Sequence, residues 1–191
     1  ALVAAHGTEL LSIARKKHVN FFFEASVGGG IPIIRPLYRC LMGEHIEEIT
    51  GILNGTTNFI LTKMDREGDS FENALALAQK LGYAERNPGA DVEGYDTCRK
   101  IAILTAMATG KEVDYEDIYT EGITKITDVD FKYAEKMSAS VKLLGTSVME
   151  GDQVRAYVAP MLIHKESPLY SVNSVYNGIM VKGNMLGASM F

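Results

Sequence analysis

Between Gly82 and Lys100 the chain carries Glu85, Asp91, Glu93 and Asp96, opposed by Arg86, Arg99 and Lys100. The segment lacks the D-x-D-x-D-G pattern and distal Glu of a calcium loop. Asp96 and Lys100 stand four apart, so on a helix they share one face. The same helix would run into Ile101 to Ala108, apolar on every side, which places the pair at the mouth of a core. A carboxylate in a first helical turn suits the helix dipole; a lysine near that end does not. A lysine held there by an aspartate can act as a general acid/base or hydrogen-bond a reacting oxygen. Structural ion pairs use the same spacing, so spacing leaves both readings open.

Two other segments are candidates. Asn54-Gly55-Thr56-Thr57-Asn58 precedes the apolar Phe59-Ile60-Leu61, and a polar loop at a helix N-terminus offers N–H groups to a carboxylate or phosphate. A plain N-cap would have the same sequence. Val27-Gly28-Gly29-Gly30-Ile31-Pro32 follows a candidate strand. It is no dinucleotide fingerprint, because Ile33 replaces the third glycine and Pro32 sits where a helix should begin. Its carbonyls suit a hard cation, with Glu24 beside them, although a simple tight turn is the commoner use of such glycines. The histidines, His6, His18, His45 and His164, lack metal-ligand spacing, so zinc is not expected.

The elements that must hold these residues follow from periodicity. Gly7 to His18 predicts a helix started by Thr8 and ended by basic residues, and Phe21 to Ala25 a strand. Ile31 to Leu41 predicts a helix interrupted by Pro32 and Pro36, and Ile46 to Asn54 a strand. Phe71, Ala74, Leu75, Ala78 and Leu81 follow the helical template, with Ser70 as N-cap and Gly82 just past the end. Tyr83 to Tyr95 reads as a polar loop, Ile101 to Ala108 as a buried helix and Val129 to Ser138 as a surface helix. Val141 to Met149 and Val154 to Ile163, joined by Glu150-Gly151-Asp152-Gln153, predict a hairpin, with a further strand at Ile179 to Val181. Helices first and strands later predict an α+β fold with helices packed on one face of a mixed β-sheet. An apolar second face would then invite a dimer through the sheet.

Composition narrows the function classes. The 191 residues carry 19 basic and 24 acidic side chains, a net charge of −5 without a basic stripe, which argues against nucleic acid. No apolar run is long enough for a membrane helix. Two cysteines, Cys40 and Cys98, and nine methionines suit a reducing cytoplasm. The apolar ends, Ala1-Leu2-Val3-Ala4-Ala5 and Met190-Phe191, are unusual for termini, and suggest a segment of a longer protein.

The run from Ala78 to Lys100 matches A-x3-G-Y-A-E followed by N-P-x2-D-V-x-G-x-D-x3-K at every fixed position. This pattern resembles the signature of homoserine dehydrogenases. Glu24 to Ile34 and Ile52 to Asn58 are similar to that family in the expected order. The resemblance implies the substrate domain of that family, a glyceraldehyde-3-phosphate-dehydrogenase-like C-terminal domain. The implied reaction interconverts L-aspartate 4-semialdehyde and L-homoserine with NAD(P)H, on the route to threonine, methionine and isoleucine. Lys100 would exchange the proton at the aldehyde oxygen, with Asp96 aligned beside it. Glu85 would hold the substrate ammonium, Gly82 and Tyr83 would line the pocket, and Asp91 would support the acidic cluster. Asn54, Gly55 and Thr56 would meet the substrate carboxylate. Glu24, Val27, Gly29 and Ile31 would give carbonyls to Na+ or K+.

The family's dinucleotide-binding residues have no counterpart in this sequence. The resemblance therefore implies that residues 1–23 are the end of a nucleotide-binding domain and 24–191 a substrate-binding and dimerisation domain, inactive alone. Two alternatives remain from the sequence: a non-catalytic oligomerisation and ligand-binding module, and the substrate domain of a related semialdehyde dehydrogenase.

Overall fold

A computed structural model describes residues 1–191. Long runs of branched and small residues in the last third make its two longest strands. β1 spans Ile46–Ile52, β2 Tyr119–Thr120, β3 Ala139–Glu150, β4 Gln153–His164, β5 Gly178–Gly183 and β6 Gly187–Met190. They form one sheet in the order β2-β4-β3-β1-β5-β6. All neighbours are antiparallel except β2 and β4, so the sheet is mixed. β3 and β4 pair from Ala139↔His164 to Glu150↔Gln153. Their turn places Gly151 at φ 59°, which glycine adopts without a steric penalty.

Six helices accompany the sheet: α1 Leu2–Lys17, α2 Gly55–Glu67, α3 Phe71–Lys80, α4 Gly89–Val92, α5 Tyr95–Thr109 and α6 Asp128–Lys136. Ile49, Val141, Leu143, Val158, Ile179 and Val181 point from the sheet into one core. Phe59 and Ile60 of α2, Ile101 and Leu104 of α5, and Phe131 and Ala134 of α6 meet them there. Each fully buried Ile or Leu contributes about 1.5–3 kcal/mol of transfer free energy. α5 is the central buried helix, with Ile101 and Leu104 fully enclosed, and it lies against β3. The opposite sheet face is covered only in part. There a 3₁₀ turn, Pro168–Ser171, sets Leu169 on Ile52 and Leu144, while Tyr157, Met161 and Met180 stay half-buried.

The α+β class, the one-sided helix layer, the hairpin, β1 and α3 agree with the sequence reading. Ser70 caps α3 through its Oγ, which accepts from the Asn73 N–H at 3.2 Å. Several expectations are corrected. Phe21 to Ala25 is not a strand: it pairs with no strand of the sheet, and the chain turns at Glu24–Ser26 in a single 3₁₀ turn. The predicted 31–41 helix shrinks to a π-type turn at Pro36–Cys40, because two prolines remove N–H donors. α1 begins at Leu2 rather than after Thr8 and has no side-chain cap. Within the expected 83–95 loop lies the one-turn α4. The short edge strands β2 and β6 were not anticipated.

Candidate active site

The candidate residues gather where three helix ends meet the end of β1. Leu53 and Asn54, both buried, lead from β1 into α2. Asn54 is the N-cap, its Oδ1 accepting from the Thr57 N–H at 2.9 Å. This leaves the N–H groups of Gly55 and Thr56 at the first turn without protein acceptors. The Thr56 hydroxyl donates to the Tyr83 carbonyl at 2.6 Å, tying the start of α2 to the end of α3.

α3 ends in a Schellman motif. Gly82 adopts φ 79°, its N–H donates to the Gln79 carbonyl at 3.1 Å, and the Tyr83 N–H donates to Ala78 at 2.8 Å. The motif turns Tyr83 back so that its ring meets Phe59 edge-on, with centroids 5.1 Å apart. Glu85 follows, with its side chain exposed and its backbone carbonyl accepting from Gln79 Nε2 at 3.0 Å.

α5 starts at Gly94, whose φ of 83° and close neighbours exclude a side chain: a Cβ there would lie 3.1 Å from Thr120 and 3.3 Å from Val158. From its first turns, Lys100 Nζ reaches Asp96 Oδ2 at 2.7 Å and the Leu53 carbonyl at 2.8 Å. The third ammonium hydrogen has no protein partner, and the side chain keeps 21% of its exposure. Lys100 is thus held by two oxygens with one donor direction open, an arrangement suited to a general acid.

Asp91, on α4, completes the cluster. Asn54 Nδ2 donates to Asp91 Oδ1 at 2.7 Å and to Asp96 Oδ2 at 2.8 Å. Burial raises the Asp91 carboxyl above its usual range, and repulsion from Asp96 and Glu85 adds to this. The Asn54 hydrogen bond and the Lys100 charge oppose the rise.

The geometry thus brings Asn54, Gly55, Thr56, Gly82, Tyr83, Glu85, Asp91, Asp96 and Lys100 to one open rim. The Asp96–Lys100 pair shares a helix face, as its spacing requires. Sequence reasoning missed the Leu53 carbonyl, a backbone acceptor that carries no residue-type signal. It also passed over Lys142, a lone lysine in the apolar run Val141 to Leu144, where the break in pattern was the available signal. A cleft of about 530 Å³ between α2 and α6, lined by Asp65, Arg66, Lys132 and Glu135, contains none of the site residues.

The Glu24 to Ile31 segment stands apart and packs against Ile179 of β5. The Glu24 carboxylate accepts N–H bonds from Ile33, Ile34 and Arg35 at 2.7–2.9 Å, so its side chain is occupied. The carbonyls of Val27, Gly29 and Ile31 have no hydrogen-bond partner. Free carbonyls have the donor chemistry a hard cation takes; the Glu24 carbonyl is engaged only weakly, by the Val27 N–H at 3.5 Å.

The sequence model of the homoserine dehydrogenase family matches residues 32–191. A homoserine dehydrogenase of Synechocystis is 46% identical over all of this chain, and one of Bacillus subtilis is 42% identical. The chain spans 45% of the first of these proteins and 44% of the second. The crystal structure of a homoserine dehydrogenase from Thiobacillus denitrificans superposes with a TM-score of 0.95 at 41% identity, over 99% of this chain and 44% of that one. A hyperthermophilic archaeal homoserine dehydrogenase, solved in complex with NADPH, gives 0.84 at 31% identity, over 98% of this chain and 54% of its own. The motif from Ala78 to Lys100, the fold and the match across residues 32–191 agree, and the chain belongs to the homoserine dehydrogenase family.

Proposed function

We propose that this chain is the substrate-binding and catalytic segment of an NAD(P)-dependent homoserine dehydrogenase, acting as part of a longer protein. The Asp96–Lys100 pair, anchored on the Leu53 carbonyl at the mouth of the core, carries this reading. Lys100 gives a proton to the aldehyde oxygen of L-aspartate 4-semialdehyde as the alcohol forms, and takes it back in the reverse direction. Asp96 holds the Lys100 ammonium in line. The nicotinamide cofactor supplies or accepts the hydride. Glu85 binds the substrate ammonium beside the Gly82–Tyr83 turn, and Asp91 supports the acidic cluster. The free N–H groups of Gly55 and Thr56 bind its carboxylate, as helix N-termini bind anions.

Further assignments rest on the same reading. Residues 1–23 belong with the nucleotide-binding part, and 24–191 form the substrate-binding and dimerisation domain. The carbonyls of Glu24, Val27, Gly29 and Ile31 hold Na+ or K+ and stiffen the junction. The sheet face bearing Thr50, Thr146, Tyr157, Met161 and Met180 meets its counterpart in a homodimer. The enzyme works in the cytoplasm, on the route to threonine, methionine and isoleucine.

The test is homoserine oxidation with NAD+ and with NADP+ by the complete enzyme containing this chain. Lys100→Ala should lower kcat by about 100-fold or more, the scale of general acid/base loss. Glu85→Gln should raise KM for homoserine with a smaller effect on kcat. Near-normal turnover in Lys100→Ala would remove the lysine from the reaction.

A further inference from the structure

We propose that Asn54 is a positioning residue: its amide clamps Asp91 to Asp96, fixes Asp96 against Lys100, and has no position left for substrate. Both Nδ2 hydrogens are used, at 2.7 Å to Asp91 and 2.8 Å to Asp96. The oxygen is also used, accepting from the Thr57 N–H at 2.9 Å and facing the Thr57 hydroxyl at 3.1 Å. The residue is 6% exposed. Its orientation is determined, because a flipped amide would turn its oxygen toward two carboxylates and its NH2 toward the Thr57 N–H.

The clamp has a physical task. Asp91 and Asp96 sit on α4 and α5, on either side of the Gly94 turn, so no single helix fixes their separation. Their charges repel, and burial of Asp91 makes the repulsion worse. A donor reaching both from the cap of α2 removes that freedom. The same side chain sets the first turn of α2, so the N–H groups of Gly55 and Thr56 and the two carboxylates move as one frame. Asn54 therefore links the anion-binding end of the site to its acidic end. The effect on turnover rests on the reading of Lys100 and Asp96 as the reacting pair; the clamp itself rests on the hydrogen bonds alone.

Asn54→Ser separates capping from clamping, since serine caps helices well but cannot span both carboxylates. Asn54→Thr provides the same separation in a second background. In this chain, carboxyl-carbon NMR follows the Asp91 titration. Its midpoint should move up in both variants, because the lost hydrogen bond had favoured the charged form. In the complete enzyme kcat should fall about 10-fold or more, the scale of a hydrogen bond to a charged group, with KM for homoserine changing less. An unmoved Asp91 midpoint would overturn the clamp. A raised KM with kcat retained would instead make Asn54 a direct substrate ligand and overturn the proposal. If the complete wild-type enzyme does not oxidise homoserine, the functional reading fails, and the Asp91 midpoint still decides the clamp.

Discussion

Lys142 offers the sharpest quantitative prediction. Its side chain is 1% exposed, on the sheet face away from the main core. Nζ donates to Val172 O at 2.8 Å, Asn173 Oδ1 at 2.9 Å and Asn58 Oδ1 at 3.2 Å. Burial pushes the amine down from its ordinary 10.5 to about 8; the Asp65 carboxylate works against this and Arg66 adds to it. Between these two values the unfolded chain binds more protons than the folded one. Stability therefore rises with pH through that window, and the gain is lost as pH falls back through about 8. At 1.36 kcal/mol per pH unit, the window is worth about 3 kcal/mol. Lys142→Met removes the titration at nearly constant volume. Urea unfolding of both proteins at steps from pH 7 to 10.5 gives two stability curves, and subtracting them cancels every other titrating group. The difference should shift in favour of the wild type by about 3 kcal/mol across the range. A flat difference would show that the amine is not desolvated in the fold, and would refute the reasoning. At pH 7 the variant also leaves the Asn58 and Asn173 oxygens without their lysine donor, at about 1–3 kcal/mol each.

The site gives two further predictions. A Cβ on Gly55 would lie 2.7 Å from the Val175 carbonyl, so Gly55→Ala must displace that backbone. It should cost about 1–3 kcal/mol in urea unfolding and raise KM for homoserine in the complete enzyme more than it lowers kcat. Asp91 has a raised carboxyl in the fold; its contribution is therefore fully present below the unfolded value and lost as pH rises through the folded one. Asp91→Asn should accordingly raise the melting temperature at neutral pH, with the gain disappearing in acid, while substrate affinity falls. A lower neutral-pH melting temperature would contradict this.

What the sequence disclosed of the fold divides by the range of the interaction that decides it. Ser70, the apolar face of α3 and the Gly82 terminus are local signals, and the helix forms where they predict. The β3–β4 hairpin is equally local, with Gly151 providing the turn. Phe21 to Ala25 fails because a strand needs a partner edge, and the Glu24 carboxylate instead draws the backbone of Ile33 to Arg35 toward it. β2 is two residues long and exists only because β4 lies beside it. In the site, the four-residue spacing of Asp96 and Lys100 disclosed one contact. The contacts that bind this pair to Asn54 and Leu53 span some 42 and 47 residues of chain, and no local pattern encodes them.

The same distinction explains how the rim acquires its polarity. Its charges are set by helix ends that come from separate parts of the chain. α2 presents its N-terminus, with two unpaired N–H groups and a partial positive charge. α3 presents its C-terminus at Tyr83, where the partial charge is negative, followed by Glu85. The Thr56–Tyr83 hydrogen bond at 2.6 Å holds these opposite ends side by side. Each end contributes only about 0.3–1 kcal/mol toward an ion at an exposed surface, so neither would select a ligand alone. Together with Glu85 and Asp91 they would, on the proposed function, form an anion-binding end beside a cation-binding end. An α-amino acid zwitterion carries its carboxylate and ammonium on one carbon and would satisfy both ends at once; a plain aldehyde or alcohol would satisfy neither. On the proposed function, discrimination for an amino-acid substrate would arise before Lys100 takes part, from the way two helix termini are joined.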